Sequence, residues 1–211
     1  MAARSRDAVT RAQRRPAASA VVLAGGRSTR FGVDKLATLL GGRPLLDYAV
    51  LAAAAVARDV VVVGSAGPAR LPSAPGVTIL RVPDTDPFAG PLVALATGLA
   101  LVREPIAIVV AGDMPTMVPD VLSALVAAIE ASDGVEASAL LQRGRREPLP
   151  MALRAGVAAS AAGRAVASGE RSLHALLEAL HVRDIHETEW RRLDPAADTP
   201  RDVDRPSDLP R

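Results

Sequence analysis

Residues 20–35 read AVVLAGGRSTRFGVDK, and the fold can be predicted outward from them. The first five residues form a short apolar run rich in β-branched side chains, which predicts a buried strand. Paired glycines, Gly25 and Gly26, end this run. Because glycine has no β-carbon, backbone N–H groups can approach an anion closely here. Arg30 and Lys35 follow and supply the opposite charge, so the stretch predicts a strand that leads into a polyphosphate-binding loop.

The spacing of this loop differs from the two commonest phosphate-binding motifs. The dinucleotide motif requires G-x-G-x-x-G, and the residues after Gly25 do not have this arrangement. The P-loop requires a lysine and a hydroxyl residue directly after its last glycine, whereas Gly32 is followed by Val33 and Asp34. The loop is therefore predicted to bind phosphates by a different arrangement.

The rest of the chain alternates strand and helix signals. Four valines at 60–63 predict a strand that is buried on both faces, and the apolar runs 77–82 and 106–111 predict two more. Apolar residues at helical spacing predict helices that begin near these positions: Pro44, Pro91, Pro119 and Leu173. This alternation predicts one α/β domain with the phosphate loop at the carboxyl end of its first strand.

Composition limits the classes of function. With 211 residues, 49% of them hydrophobic, the chain can bury a substantial core. Residues 1–18 are predicted to form a disordered tail rich in arginine and alanine, and 19–211 a single domain. Aromatic side chains are too few to favour binding of nucleic acid, and no apolar stretch is long enough to predict a membrane span. The absence of cysteine and of a secretory signal favours the cytoplasm.

The opening stretch also fits the pattern L-A-G-G-x-x-x-R-[FM]-G-x-D-K. On this pattern the chain resembles the molybdenum cofactor guanylyltransferases, which are MobA-like nucleotidyltransferases, and the resemblance extends from about Val21 to Leu209. It implies a three-layer α/β/α Rossmann-like nucleotidyltransferase fold of the GT-A-like type, with a mostly parallel central sheet. It also implies an enzyme that transfers GMP from GTP to the phosphate of molybdopterin, releases pyrophosphate and uses Mg²⁺.

The resemblance assigns roles to residues around the loop. It implies that the nucleotide is held by Leu23, Ala24, Gly25 and Gly26. Arg30 and Lys35 are implied to be catalytic cations that neutralise the triphosphate and the leaving pyrophosphate, and Lys35 also to bind the nucleotide. Asp84 follows the third strand and is implied to lie near the nucleoside.

Two aspartates are candidate ligands of Mg²⁺. Asp113 follows the apolar run 106–111, and a carboxylate at the carboxyl end of a buried central strand is well placed to hold a metal ion against phosphates. Its G-D-M-P sequence resembles the metal-binding motif of the family, which implies that Asp113 is catalytic and contacts the nucleotide. Asp204, in the segment DVDRPSDL at 202–209, is implied to be a second ligand.

Departures from the family pattern leave alternatives open. The segment 202–209 has aspartates where guanylyltransferases have asparagines, and this form is common in cytidylyltransferases, so a CTP-dependent molybdopterin cytidylyltransferase is the nearest alternative. Gly64 stands where some members carry an asparagine, so that side-chain contact is lost. Guanylyl transfer to 2-phospholactate, or a catalytically silent nucleotide-binding regulatory module, are further alternatives.

Identity of the acceptor depends on two polar segments. Residues 142–147 read QRGRRE, and 169–172 read GERS, in which Arg171 is a candidate acceptor contact by the resemblance. A cationic turn between strands is also typical of a solvated surface. The sequence does not distinguish a monomer from a weak homo-oligomer.

Overall fold

The structure, a computed structural model, describes residues 16–25, 34–84, 86 and 89–209. In these ranges the strands are, in chain order, β1 (Ala18–Leu23), β2 (Leu39–Leu40), β3 (Arg43–Pro44), β4 (Asp59–Val63), β5 (Thr78–Val82), β6 (Ile106–Ala111), β7 (Ala137–Gln142), β8 (Arg145–Arg154) and β9 (Val182–Ile185). The helices are α1 (Leu45–Val56), α2 (Pro91–Leu99), α3 (Pro119–Glu130), α4 (Ala155–Ala167), α5 (Leu173–Glu178) and α6 (Glu187–Trp190). Two short 3₁₀ turns are Lys35–Ala37 and Pro206–Asp208.

A seven-stranded sheet forms the centre of the fold, in the order β5-β4-β1-β6-β8-β7-β9. Strand β8 runs antiparallel to both of its neighbours, and the other six strands share one direction. Strands β2 and β3 form a separate small hairpin. The predicted mostly parallel α/β sheet is therefore confirmed.

Helices cover both faces of the sheet. Side chains of β1 alternate between two apolar clusters, with Val22 in one and Val21 in the other. Helices α1, α3 and α6 complete the first cluster, and α2, α4 and α5 complete the second. A strand with apolar neighbours on both faces needs no polar positions, which explains the continuous apolar runs in the sequence. The arrangement is the three-layer α/β/α fold that was predicted, and no helix of the described ranges has the length and apolar character needed to cross a bilayer.

Three loops open side by side at the carboxyl edge of the sheet. Leu23 at the end of β1 is in register with Val63 of β4 on one side and with Ala111 of β6 on the other. The N–H of Ala24 donates to the carbonyl of Val63 at 2.8 Å, and the N–H of Gly112 donates to the carbonyl of Leu23 at 2.9 Å. Because the strands end together, the residues that follow them lie at one edge of the sheet, the edge at which open α/β sheets bind ligands.

The segment after α6 returns to the same edge. Its Val203 N–H donates to the carbonyl of Asp113 at 3.0 Å, and the hydroxyl of buried Thr199 accepts from the N–H of Val118 at 3.1 Å. Asp204 is thereby fixed beside the loop that follows β6.

Asp194 holds the turn from which this returning segment starts. Its carboxylate is 3% exposed and accepts from the N–H of Thr199 at 2.7 Å. Burial opposes the negative charge, but hydrogen bonds from Thr199 and from the N–H groups of Asp198 and Ala197 outweigh it and lower the pKa of Asp194. The folded state therefore favours the charged carboxylate.

Asp194→Asn is expected to destabilise the protein by about 1–3 kcal/mol at pH 7, because one charged acceptor of backbone N–H groups is lost. Since the folded pKa is below the ordinary value of 3.8, this contribution is fully present above that value and disappears as the pH falls through the folded pKa. Urea unfolding of both proteins at pH 7 and at about pH 3 measures the difference. The fully exposed Asp133 provides a control, Asp133→Asn. A difference in the free energy of unfolding that stays constant with pH would contradict this account of Asp194.

Candidate active site

The loop that follows β1 lies next to the loop that follows β5. A β-carbon built on Gly25 would be 4.0 Å from Oδ2 of Asp84, so the carboxylate borders the start of the glycine pair. Leu23, Ala24, Gly25 and Asp84, which were predicted to contact the nucleotide, are therefore at one edge. The other two predicted residues of this loop, Gly26 and Arg30, lie outside the described residues.

Lys35 reaches from a short turn to the aspartate that follows β6. Its Nζ lies 2.6 Å from Oδ2 of Asp113 and 3.5 Å from Oδ1 of Asp204. The side chain of Lys35 is 13% exposed. Burial disfavours the ammonium charge, but the hydrogen bond and charge of Asp113, assisted by Asp204, outweigh burial and raise the pKa of Lys35. The lysine is thus a fixed cation at physiological pH.

Three carboxylates meet at this point: Asp113, Asp202 and Asp204. One oxygen from each lies within 4.8 Å of the others. Partial loss of solvation, followed by repulsion from Asp113 and Asp204, raises the pKa of Asp202 although its side chain remains in contact with solvent. A set of three carboxylate oxygens is the kind of donor set that a hard divalent cation such as Mg²⁺ prefers. The residues present therefore fit a metal ion, and they add Asp202 to the two ligands predicted from sequence.

Gly64, at the end of β4, is required by close contact with the loop that follows β1. Its φ is +121°, and a β-carbon there would be 2.3 Å from the carbonyl oxygen of Ala24. Its N–H donates to the carbonyl of Val82 at 2.9 Å. The backbone at this position leaves no space for a side chain.

Gly64→Ala is expected to destabilise the protein by about 2–4 kcal/mol, because strain in the backbone adds to a clash with a neighbouring backbone carbonyl. Gly144→Ala is the matched control, since Gly144 also has a positive φ, +75°, but has no atom within 4 Å of an added β-carbon. Its cost is expected to be only about 1 kcal/mol. Chemical unfolding of the two variants measures both values, and equal losses would exclude the clash with Ala24.

Arg171 is bound by backbone carbonyls near the start of α2. Its guanidinium donates to the carbonyl of Val166 at 3.1 Å and to that of Glu170 at 2.8 Å. Its own carbonyl accepts from the N–H of Leu92 at 3.2 Å, so the segment 169–172 packs against the first turn of that helix. The proposed contact between Arg171 and an acceptor remains a prediction.

The cationic turn at 142–147 divides into a structural and an exposed part. Arg146 forms a bidentate ion pair with Asp184 of β9, with distances of 2.7 Å and 2.9 Å. The hydrogen bond to Asp184 raises the pKa of Arg146. Arg143 and Arg145 are exposed. Of the three arginines in this turn, these two have side chains that remain candidates for contact with an anionic acceptor.

Comparison with known families matches residues 20–185 to the MobA-like NTP transferase domain. The chain is also 34% identical over 194 residues to a Chloroflexus aggregans protein named probable molybdenum cofactor guanylyltransferase, covering 90% of this chain and 91% of that protein. The chain belongs to the MobA-like NTP transferase family. A Burkholderia vietnamiensis protein named molybdenum cofactor guanylyltransferase is 33% identical over 167 residues, covering 76% of this MobA-like chain and 81% of its relative.

Solved structures share the fold of the MobA-like domain. Molybdopterin-guanine dinucleotide biosynthesis protein A from Archaeoglobus fulgidus superposes with a TM-score of 0.71 at 22% identity, over 90% of this chain and 94% of that one. The 2-C-methyl-D-erythritol 4-phosphate cytidylyltransferase of Thermus thermophilus superposes with a TM-score of 0.62 at 18% identity, over 90% and 94%. At these identities the likeness establishes the nucleotidyltransferase fold.

The matched region of the MobA-like domain ends at the last residue of β9. Two of the three clustered carboxylates, those of Asp202 and Asp204, therefore lie beyond it. Sequence reasoning placed Asp204 in the site through its local motif and did not assign Asp202. The signal that could have identified Asp202 is the spacing D-x-D, because alternate residues of an extended segment present side chains to the same side.

Proposed function

We propose that this chain is a molybdenum cofactor guanylyltransferase, which transfers GMP from GTP to the phosphate of molybdopterin and releases pyrophosphate. The observation that carries the proposal is the convergence of Lys35 and three carboxylates beside the loop that follows β1. The names of relatives that align with most of the chain support the choice of nucleotide and acceptor.

The reaction is a substitution at the α-phosphorus of GTP. An oxygen of the acceptor phosphate forms a bond to this phosphorus, and the bond from the phosphorus to the oxygen that bridges to the β-phosphate breaks. Pyrophosphate leaves with that electron pair. The second pKa of a phosphate monoester is about 6, so the nucleophile is already largely deprotonated at pH 7 and needs no dedicated base. Catalysis then depends on positioning and on neutralisation of charge.

Each part of the site has a role in this proposal. The backbone from Leu23 to Gly26 holds the nucleotide, with Asp84 near the nucleoside. Lys35 neutralises charge on the triphosphate and the pyrophosphate. Arg30 has the same role, which is assigned from its place in the sequence motif. Asp113, Asp202 and Asp204 would hold Mg²⁺, which supplies positive charge to the phosphate oxygens when bound.

A CTP-dependent enzyme is the second candidate, because aspartates replace the family asparagines at 202 and 204. Their location gives no support to CTP over GTP. Asp204 contacts the ammonium of Lys35, and both aspartates share a cluster with Asp113. The substitution therefore changes the charge beside Lys35 and Asp113, whereas the candidate residue near the nucleoside is Asp84, which borders Gly25.

Calorimetric binding of GTP, CTP, ATP and NAD to the full chain, each with and without Mg²⁺, tests the proposal. Preference for GTP that depends on Mg²⁺ is expected, followed by formation of the guanine dinucleotide when molybdopterin is added. The variant Asp202→Asn/Asp204→Asn is expected to need more Mg²⁺ without a change in base preference, with Asp133→Asn as control. Preference for CTP would identify the chain as a cytidylyltransferase instead, and absence of any nucleotide binding would refute the proposal.

A further inference from the structure

The carboxylate of Asp34 joins two backbone segments beside the catalytic lysine. Its Oδ2 accepts from the N–H of Gly67 at 2.7 Å, in the loop that follows β4. Its Oδ1 accepts from the N–H of Leu36 at 3.0 Å and so caps the turn Lys35–Ala37. The loop at Gly67 is itself hydrogen-bonded to the loop that follows β1, because the N–H of Ala66 donates to the carbonyl of Ala24 at 3.3 Å. Asp34 thus connects the turn that carries Lys35, through the loop that follows β4, to the loop that follows β1.

Leu36 fixes the other side of the lysine. It is 4% exposed and lies between two glycines that have no space for a side chain. A β-carbon on Gly67 would be 3.3 Å from Leu36 Cβ and 2.7 Å from Leu46 Cδ2, and one on Gly112 would be 3.1 Å from Leu36 Cδ1. The residue after Lys35 is therefore packed tightly, and the residue before it is held by two hydrogen bonds.

We infer that Asp34 is a positioning residue for Lys35 in the transfer reaction, an inference that rests on the proposed function. A lysine side chain has four rotatable bonds and loses about 2 kcal/mol of rotamer entropy when it is fixed. The location of its ammonium consequently depends on how firmly the backbone at both ends is held. The hydrogen bond from the N–H of Gly67 to Asp34 fixes the position of this backbone relative to the loop that follows β1.

Loss of this contact is expected to affect the transition state more than the binding of GTP. A displacement of about 1 Å in a catalytic group can lower a rate by about 100-fold. The bond from Gly67 is separable from the cap of the turn, because serine caps a helix nearly as well as aspartate but is one atom shorter. Asp34→Ser therefore keeps the bond from Leu36 and loses the bond from Gly67.

The test compares Asp34→Ser, Lys35→Ala and the double variant with the wild-type protein. In Asp34→Ser, kcat is expected to fall about 10–100-fold while KM for GTP changes less than about 3-fold. In the Lys35→Ala background, Asp34→Ser is expected to lower kcat no further, because a positioning residue acts through the group that it positions. Asp133→Ser is the matched control at an exposed aspartate.

Hydrogen exchange provides a readout that does not depend on turnover. The Gly67 amide is expected to exchange faster in Asp34→Ser than in wild type, whereas the Leu36 amide keeps its protection. Unchanged protection at Gly67, or an undiminished effect of Asp34→Ser in the Lys35→Ala background, would overturn the inference. An inactive wild-type protein would instead overturn the proposed function, and an active wild type with kcat unchanged by Asp34→Ser would overturn this inference alone.

Discussion

Asp113→Asn is expected to lower kcat for dinucleotide formation by about 1,000-fold. Asp113 combines three contacts: it contributes an oxygen to the carboxylate cluster, its Oδ2 accepts from Lys35 at 2.6 Å, and its carbonyl holds Val203. Asparagine keeps the size of the side chain and the backbone bond, so the returning segment stays in place. What is lost is one negative charge toward the ammonium of Lys35 and toward the divalent cation that the cluster is proposed to hold.

Release of pyrophosphate, measured over a range of Mg²⁺ concentrations, checks the prediction for Asp113. The activity that remains should require more Mg²⁺ than the wild-type protein needs, because a neutral amide is a weaker ligand than a carboxylate. Asp133→Asn removes a fully exposed carboxylate and should leave turnover unchanged. Wild-type kcat in Asp113→Asn, with the wild-type dependence on Mg²⁺, would remove Asp113 from the chemistry.

Lys35→Ala is expected to lower kcat by about 100–1,000-fold and to weaken binding of GTP by about 10-fold or less. The difference arises because negative charge on the leaving pyrophosphate is larger in the transition state than in bound GTP, so a fixed cation stabilises the transition state more. The raised pKa of Lys35 keeps it charged throughout the neutral range, and its Nζ is already held between two carboxylates.

Single-turnover rates and calorimetry together separate the two effects for Lys35. The variant Lys35→Met retains most of the apolar stem, so it distinguishes loss of the ammonium from loss of packing. Both variants should be equally slow if the charge is what matters. A faster Lys35→Met would assign part of the effect to packing, and normal turnover in Lys35→Ala would exclude a catalytic role for this residue.

Much of the fold could be predicted because the central strands are buried on both faces. The predicted strand 106–111 coincides with β6, and the valines 60–63 lie within β4. Helix α4 could not be predicted in the same way. Its sequence consists mostly of alanine and small residues, with glycines at 156 and 163, so the contrast between its buried and exposed faces is weak. Strand β9 has only four residues and two charges, which gives no clear periodicity.

Candidate site residues could be predicted where they adjoin the end of a strand. They were harder to predict where contacts between distant segments determine their location. Asp113 and Lys35 were assigned from local motifs, and the structure brings them to 2.6 Å. Asp202 was missed because its membership of the cluster depends on the bond from Val203 to Asp113, which joins segments that are distant in sequence. The hydrogen bond from the N–H of Gly67 to Asp34 likewise depends on the geometry of a loop, which the periodicity of the sequence does not encode.

The return of the chain to its own sheet also orders the events of synthesis. Domains generally fold as units during synthesis, while the ribosome adds roughly 5–20 residues per second. A nascent chain that has emerged as far as β9 contains every strand of the sheet and the loop that follows β1, but only Asp113 of the three carboxylates. Buried Trp190 and Val203 have not yet joined the core at that stage. The nascent chain therefore lacks two of the three clustered carboxylates, and the cluster is complete only after the last segment of the chain has docked.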